Sequence, residues 1–330
     1  MTFSLSALPQ IVRSKVLLHM SSLERVSYSL CSSKCKKQIV NLGLRAFVDL
    51  SFSRNLVIRM SFEDKSSVMV TPLGFWPNAQ QVSYSGKSWQ SRNASWINSG
   101  MSEEKWIDHC MDICHVASII TASFCDVRNN VKTSLIRRVL KGRDIDVLTI
   151  RGTAWTFPIR KLISLAIPAR RYIFQADSFA VKRPLQEALF SNSHILRMEG
   201  TGIHTVDLDD LLATNASHLS LERSQLTSTH INRFLKLWMR GSNMRLRSLK
   251  IEGRVANIDP EDTIGEIPNQ LITQRVLMEK WRASRYPLDN FRPFPNAGLN
   301  IRGREGVRAT VGFVLMRHTG VASFHLFVWD

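Results

Sequence analysis

Residues 217–253, SHLSLERSQLTSTHINRFLKLWMRGSNMRLRSLKIEG, read as strand, helix, strand. Leu219-Ser220-Leu221 and Leu249-Lys250-Ile251 are short apolar runs of strand type. Between them Ile231, Phe234, Leu235 and Trp238 recur at three- and four-residue steps. That spacing puts them on one face of a helix over 229–240 and marks them as core. Ser228 is the expected cap and Gly241 the expected stop.

The same unit recurs upstream. Strands are expected over 147–150, 172–174 and 195–198 as well. Counted from Leu148, Ile173, Leu196, Leu219 and Leu249, the steps are 25, 23, 23 and 30 residues. Helix-like segments lie between them at 158–167, 184–190, 208–213 and 229–240, with Pro184 suited to a first turn and Asp207 to a cap. A strand and a helix every ~20–29 residues is the period of leucine-rich repeats. The repeat is irregular and lacks the Asn ladder position. An ordinary α/β sheet with right-handed crossovers would also give parallel strands with helices behind.

The flanks differ. Near the N-terminus Leu8, Val12, Val16 and Met20 step by four, with Leu5, Ile11 and Leu17 as a second stripe. Pro9 stands where a helix would start. Ser21-Ser22 breaks the run, a second helical stretch carries Leu23, Val26, Tyr28 and Leu30, and a third covers 34–42. Short strands are expected around Val48, Ile58 and Val70, and a loop over 83–100. Ser102 should cap a helix carrying Trp106, Cys110, Ile113, Ala117 and Ile120, with a further helix closed by Gly142. A helix over 271–281, a proline loop at Pro287, Pro293 and Pro295, and strands at 299–302, 309–315 and 324–329 read as a C-terminal antiparallel element.

The chain has 330 residues, enough for two domains. Hydrophobic residues make up 44% and charged residues 22%, a globular balance. The net charge of +17 favours acidic partners, but the densest basic stretches, around Lys34-Cys35-Lys36-Lys37 and Arg137-Arg138, stay short. Nucleic acid is therefore a subordinate expectation. Five cysteines, an odd and sparse set, fit a reducing compartment. Cys31/Cys35 and Cys110/Cys114 are each spaced i, i+4, which reads as buried core rather than a zinc site. No secretory signal or membrane span is read, so cytoplasm or nucleus is expected. No nucleotide loop, serine elbow or paired base and nucleophile appears, and no enzyme, metal or cofactor is expected.

Two stretches resemble a known family. Residues 3–40, FSLSALPQIVRSKVLLHMSSLERVSYSLCSSKCKKQIV, are similar to the F-box in its nematode form through Phe3, Leu8-Pro9, Val16-Leu17, Met20, Leu23, Ser29-Leu30-Cys31-Ser32, Lys34 and Val40. Ser21-Ser22 stands where that family has an acidic-Pro pair, and Arg13-Ser14-Lys15 where it is glutamate-rich. Residues 217–253 resemble the F-box-associated (FBA) type 2 domain through Leu226-Thr227-Ser228, Ile231-Asn232, Phe234-Leu235-Lys236, Trp238, Gly241-Ser242-Asn243 and Leu246.

The resemblance implies an F-box over 1–43 and an F-box-associated domain over 44–330. In fold terms this is α/β: an N-terminal three-helix F-box, then an irregular leucine-rich-repeat-like domain with a C-terminal antiparallel β element. It implies a substrate-recognition subunit of a cullin-RING (SCF-type) ubiquitin ligase. The Skp adaptor, and through it the cullin scaffold, would be bound by Leu8, Pro9, Val12, Val16, Leu17, Met20, Leu23, Leu30 and Cys31, and a protein target by the second domain. The alternatives are an F-box interaction protein without ligase coupling and a basic nucleic-acid-binding protein.

Overall fold

In the computed structural model, residues 5–53, 56–72, 80–85, 91–96, 101–125, 133–152, 167–176, 186, 189–190, 192–200, 206–283, 298–316 and 318–329 are described. The chain divides into two compact units: Met1–Thr149 with Leu165–Ala169, and Ile150–Ser164 with Arg170–Asp330.

The first unit opens with α1 (Gln10–His19), α2 (Ser22–Cys31) and α3 (Ser33–Val40). Its strands are β1 (Ala46–Phe52), β2 (Leu56–Phe62), β3 (Ser67–Thr71), β4 (Gln80–Ser85), β5 (Ser91–Trp96) and β6 (Ser118–Cys125), in the order β6-β1-β2-β3-β4-β5. All pair antiparallel except β1 with β6. The helices α4 (Glu103–Ile113) and α5 (Thr133–Leu140) complete it, and β7 (Asp144–Gly152) ends beyond its boundary. β2 alternates buried Leu56, Ile58, Met60 and Phe62 with more exposed neighbours, as a strand with one covered face must.

Local chemistry explains the helix ends. Ser21 and Glu24 form a capping box on α2: Ser21 N–H donates to Glu24 Oε2 (2.7 Å) and Glu24 N–H to Ser21 Oγ (3.3 Å). The helix is then pinned by buried hydroxyls. Ser22 Oγ lies 2.7 Å from Ser66 Oγ in the turn before β3. Ser29 Oγ donates to Val26 O (2.6 Å) and sits 2.8 Å from His109 Nε2 on α4. With the Ser29 hydrogen on Val26, His109 donates through Nε2–H.

The second unit contains β8 (Arg171–Ala176), β9 (Ile195–Glu199), α6 (Leu208–Leu212), β10 (His218–Leu221), α7 (Ser228–Met239) and β11 (Ser248–Arg254). After them come α8 (Pro260–Ile264), β12 (Gln270–Ile272), α9 (Gln274–Ala283), β13 (Gly298–Arg302), β14 (Arg308–Met316) and β15 (Val321–Trp329). Strands β8 to β11 pair parallel in chain order. The chain then returns: β15 pairs antiparallel with β11, and β14, β13 and β12 continue outward antiparallel. Ile231, Phe234, Leu235 and Trp238 are all buried, as their spacing requires. The α7 cap is Thr227, one residue earlier than expected. Ser228 instead ties α7 to the next connection, donating to Asn257 O (3.3 Å) and Asp259 O (3.2 Å). Gly241, at φ +105°, ends it, with its N–H on Trp238 O.

The α/β class holds, but the expected architecture of a three-helix F-box followed by a leucine-rich-repeat-like domain does not. The sheet is mixed. Helices are distributed along the chain, and α1 to α3 share a compact unit with β1 to β6 rather than forming a separate bundle. A repeat array needs every strand flanked by parallel copies. Here β11 needs a neighbour for Leu249 and Ile251, and Leu326 and Phe324 of an antiparallel strand supply it.

Three smaller expectations also change. The 83–100 stretch contains most of the β4–β5 hairpin, whose polar sequence suits strands at a sheet edge. α4 ends at Ile113, so Ala117 is not helical and Ile120 lies in β6, where the run Ile119-Ile120-Thr121 favours a strand. The expected helix over 271–281 is β12 followed by α9. The proline loop and most of the 158–167 and 184–190 segments lie outside the described residues.

Replacing Ser29 with Ala leaves the buried His109 N–H without its acceptor. The expected loss is about 1–3 kcal/mol of stability, read by urea denaturation of the full chain. Burial also lowers the pKa of His109 and His218 to about 4 and of His325 to about 3. Their unfolded value is 6.5, so between 6.5 and about 4 the unfolded chain binds protons the folded chain refuses. Stability is complete above that window and falls as pH drops through it, and His109→Gln should make the fall shallower.

Candidate protein-docking surface

α1 is the least covered helix of the first unit. Pro9 caps it without a side-chain hydrogen bond, and Arg13 N–H bonds to Pro9 O (2.9 Å). Leu17 is its one fully inward residue, 1% exposed. On the other side Ile11 is 74%, Leu18 54%, Val12 44% and Val16 36% exposed. Helical geometry groups these four on one side around Lys15 and His19, with no acidic residue in the helix. Such an exposed apolar face is a candidate contact surface.

The expected adaptor residues separate on this structure. Val12 and Val16 belong to the open face and exposed Pro9 stands at its start. Leu17 and Leu23 are in the core. Leu8, Met20 and Leu30 are half-buried, and Cys31 is exposed at the end of α2 with its thiol near Ser27 O (3.5 Å). Ile11 and Leu18 join the open face although sequence reasoning does not select them. Their seven-residue step is a visible signal, but the four-residue stripe of Leu8, Val12, Val16 and Met20 masks it.

Within the second unit, one sheet face carries paired charges. Arg197 Nη2 bonds to Glu222 Oε1 (2.7 Å) and the same guanidinium pairs with Glu199, which also accepts from Gln175 Nε2. Lys250 pairs with Glu252 (3.0 Å). These neighbours satisfy one another, so the row is a structural ladder before it is a contact surface. Ser220 on β10 is buried, and in β7 Thr149 is buried while Arg151 is exposed.

Residues 184–251 match a family model described as F-box associated. This supports the type 2 F-box-associated reading of that stretch, which runs from before β9 through α6, β10 and α7 into β11. No curated protein and no solved structure matches the chain.

Burial pushes the Cys114 thiol up to about 12 and the Cys110 thiol well above its usual value. Both therefore stay protonated and pack as small apolar groups. Among the described residues no cluster of three or more His, Cys, Asp or Glu is placed to hold a metal, and no helix is long and apolar enough to cross a membrane.

Core and surface on α1 should separate cleanly. Leu17→Ala is expected to cost about 2–5 kcal/mol in a denaturation experiment. Ile11→Glu should stay within about 0.5 kcal/mol of the parent chain.

Proposed function

We propose that the chain is a substrate receptor of an F-box-type (SCF) ubiquitin ligase. The N-terminal segment, 1–43, docks on the Skp adaptor and through it on the cullin scaffold. The remainder, 44–330, holds a protein target. The receptor supplies proximity and orientation rather than chemical groups, so no catalytic residue is assigned. The supporting observation is the exposed apolar face of α1 in a chain whose residues 184–251 match an F-box-associated model. On this reading Pro9, Ile11, Val12, Val16 and Leu18 form the contact and Leu17 and Leu23 shape it from beneath. Cytoplasm or nucleus is the compartment this role requires.

A second reading, an interaction protein without ligase coupling, is favoured by one observation. α2 spends its inner face on its own chain, through Leu23, Val26 and the Ser22 and Ser29 hydrogen bonds. Only α1 and the outer faces of α2 and α3 remain for an adaptor.

Co-purification with the Skp adaptor distinguishes the two. The full chain should retain the adaptor, and the double variant I11E and V16E should lose it while unfolding at the parent denaturant concentration. Absence of adaptor from the parent chain, or unchanged retention by the variant, removes the receptor reading.

A further inference from the structure

A second surface lies between α3 and the C-terminal turn of α4. It is an open groove of about 570 Å³. On α3, Ser33, Lys36, Lys37 and Val40 face it at the i, i+3, i+4, i+7 positions of one helical stripe. From the other side come Met111, Asp112 and His115, with Val116 and Ala117 leading toward β6.

The walls are held in place. Lys36 Nζ pairs with Asp112 Oδ2 at 2.6 Å. His115 stands just past the end of α4 at φ +52°, a left-handed conformation that costs a residue with a Cβ. Its N–H bonds to Asp112 O (3.2 Å), and the N–H of Val116 bonds to Met111 O (3.0 Å). The imidazole Nε2 donates to Val40 O at the end of α3. A glycine would relax this turn, but only a side chain bridges the two helix ends. The groove is therefore built before any partner arrives, which lowers the ordering cost of binding.

Its chemistry is asymmetric. The floor is apolar, from Val40, Met111, Val116 and Ala117. Asp112, the one acidic residue lining it, is neutralised by Lys36, while exposed Lys37 has no acidic partner among the described residues. Helix α3 carries three lysines and no acidic residue. We infer that this groove docks an acidic segment of a partner protein, which sets one aliphatic side chain on the floor and a carboxylate against Lys37. A basic segment meets like charge there. The apolar floor has little to offer a nucleic-acid backbone, whose binding rests on phosphate contacts. α1, whose exposed face carries the proposed adaptor contact, contributes no residue to the groove, so the two contacts can be tested separately.

The test is fluorescence anisotropy on the full chain. The probe is a short labelled peptide of glutamates with leucine at every fourth position. Salt-sensitive binding is expected, weakened about tenfold by Lys37→Glu and comparably by Met111→Ala. Lys141→Glu makes the same change in net charge outside the groove and should leave binding unchanged, as should Ile11→Glu on α1. Equal loss in the Lys37 and Lys141 variants would reduce the effect to overall charge and overturn the inference. So would equal binding of a lysine-for-glutamate peptide, or full displacement by a single-stranded oligonucleotide. Loss of adaptor with retention of the peptide would count against the receptor reading alone.

Discussion

The hydrogen bond between Ser29 on α2 and His109 on α4 governs what the N-terminal segment can present. Both groups are buried, and a buried polar group without a partner costs more than the bond itself returns. Breaking the contact to swing α2 outward would strand a donor on His109 and release the second tie, Ser22 to Ser66. α2 is therefore committed to the body of the first unit. The three N-terminal helices divide their roles accordingly: α2 anchors, α1 turns Ile11, Val12, Val16 and Leu18 to solvent, and α3 offers its lysine stripe. On the proposed receptor reading, the adaptor contact is narrower than the full set of apolar residues in the first forty positions.

In the second unit the matched stretch is not self-sufficient. It ends at Ile251, inside β11, and that strand is completed by β15 through the pairs Leu249 with Leu326 and Ile251 with Phe324. All four side chains are fully buried. The C-terminal strands are thus part of the core that the F-box-associated stretch requires, and they turn a parallel series into a mixed sheet. The charged ladder of Arg197, Glu199 and Glu222 sets one cation against two carboxylates, so the chain's excess of positive charge lies elsewhere, including α3.

Much of this was legible in the residues. The α7 face, the five strand runs, the Ser102 cap and the Gly142 and Gly241 stops all come from periodicity and punctuation, which act over a few residues. The joining of β15 to β11, which merges the parallel series with the antiparallel C-terminal strands, was not legible, because that pairing links segments far apart in the chain. Nor was the β4–β5 hairpin, since an edge strand can be polar. The helix expected through Ile120 failed for a related reason: the stop at His115 is a backbone conformation that no glycine advertises.

The sequence by itself determined which segments are helix or strand in the most strongly patterned regions, that Ile231, Phe234, Leu235 and Trp238 are core, and that stretches resemble the F-box and its associated domain. Only the tertiary structure decided that Leu17 and Leu23 face inward while Ile11 and Leu18 face out, and that α3 and α4 enclose a groove. The reason is physical. Local pattern reports that a side chain is apolar, but whether it is covered depends on residues as distant as Ser66 and His109, which hold the helices in place.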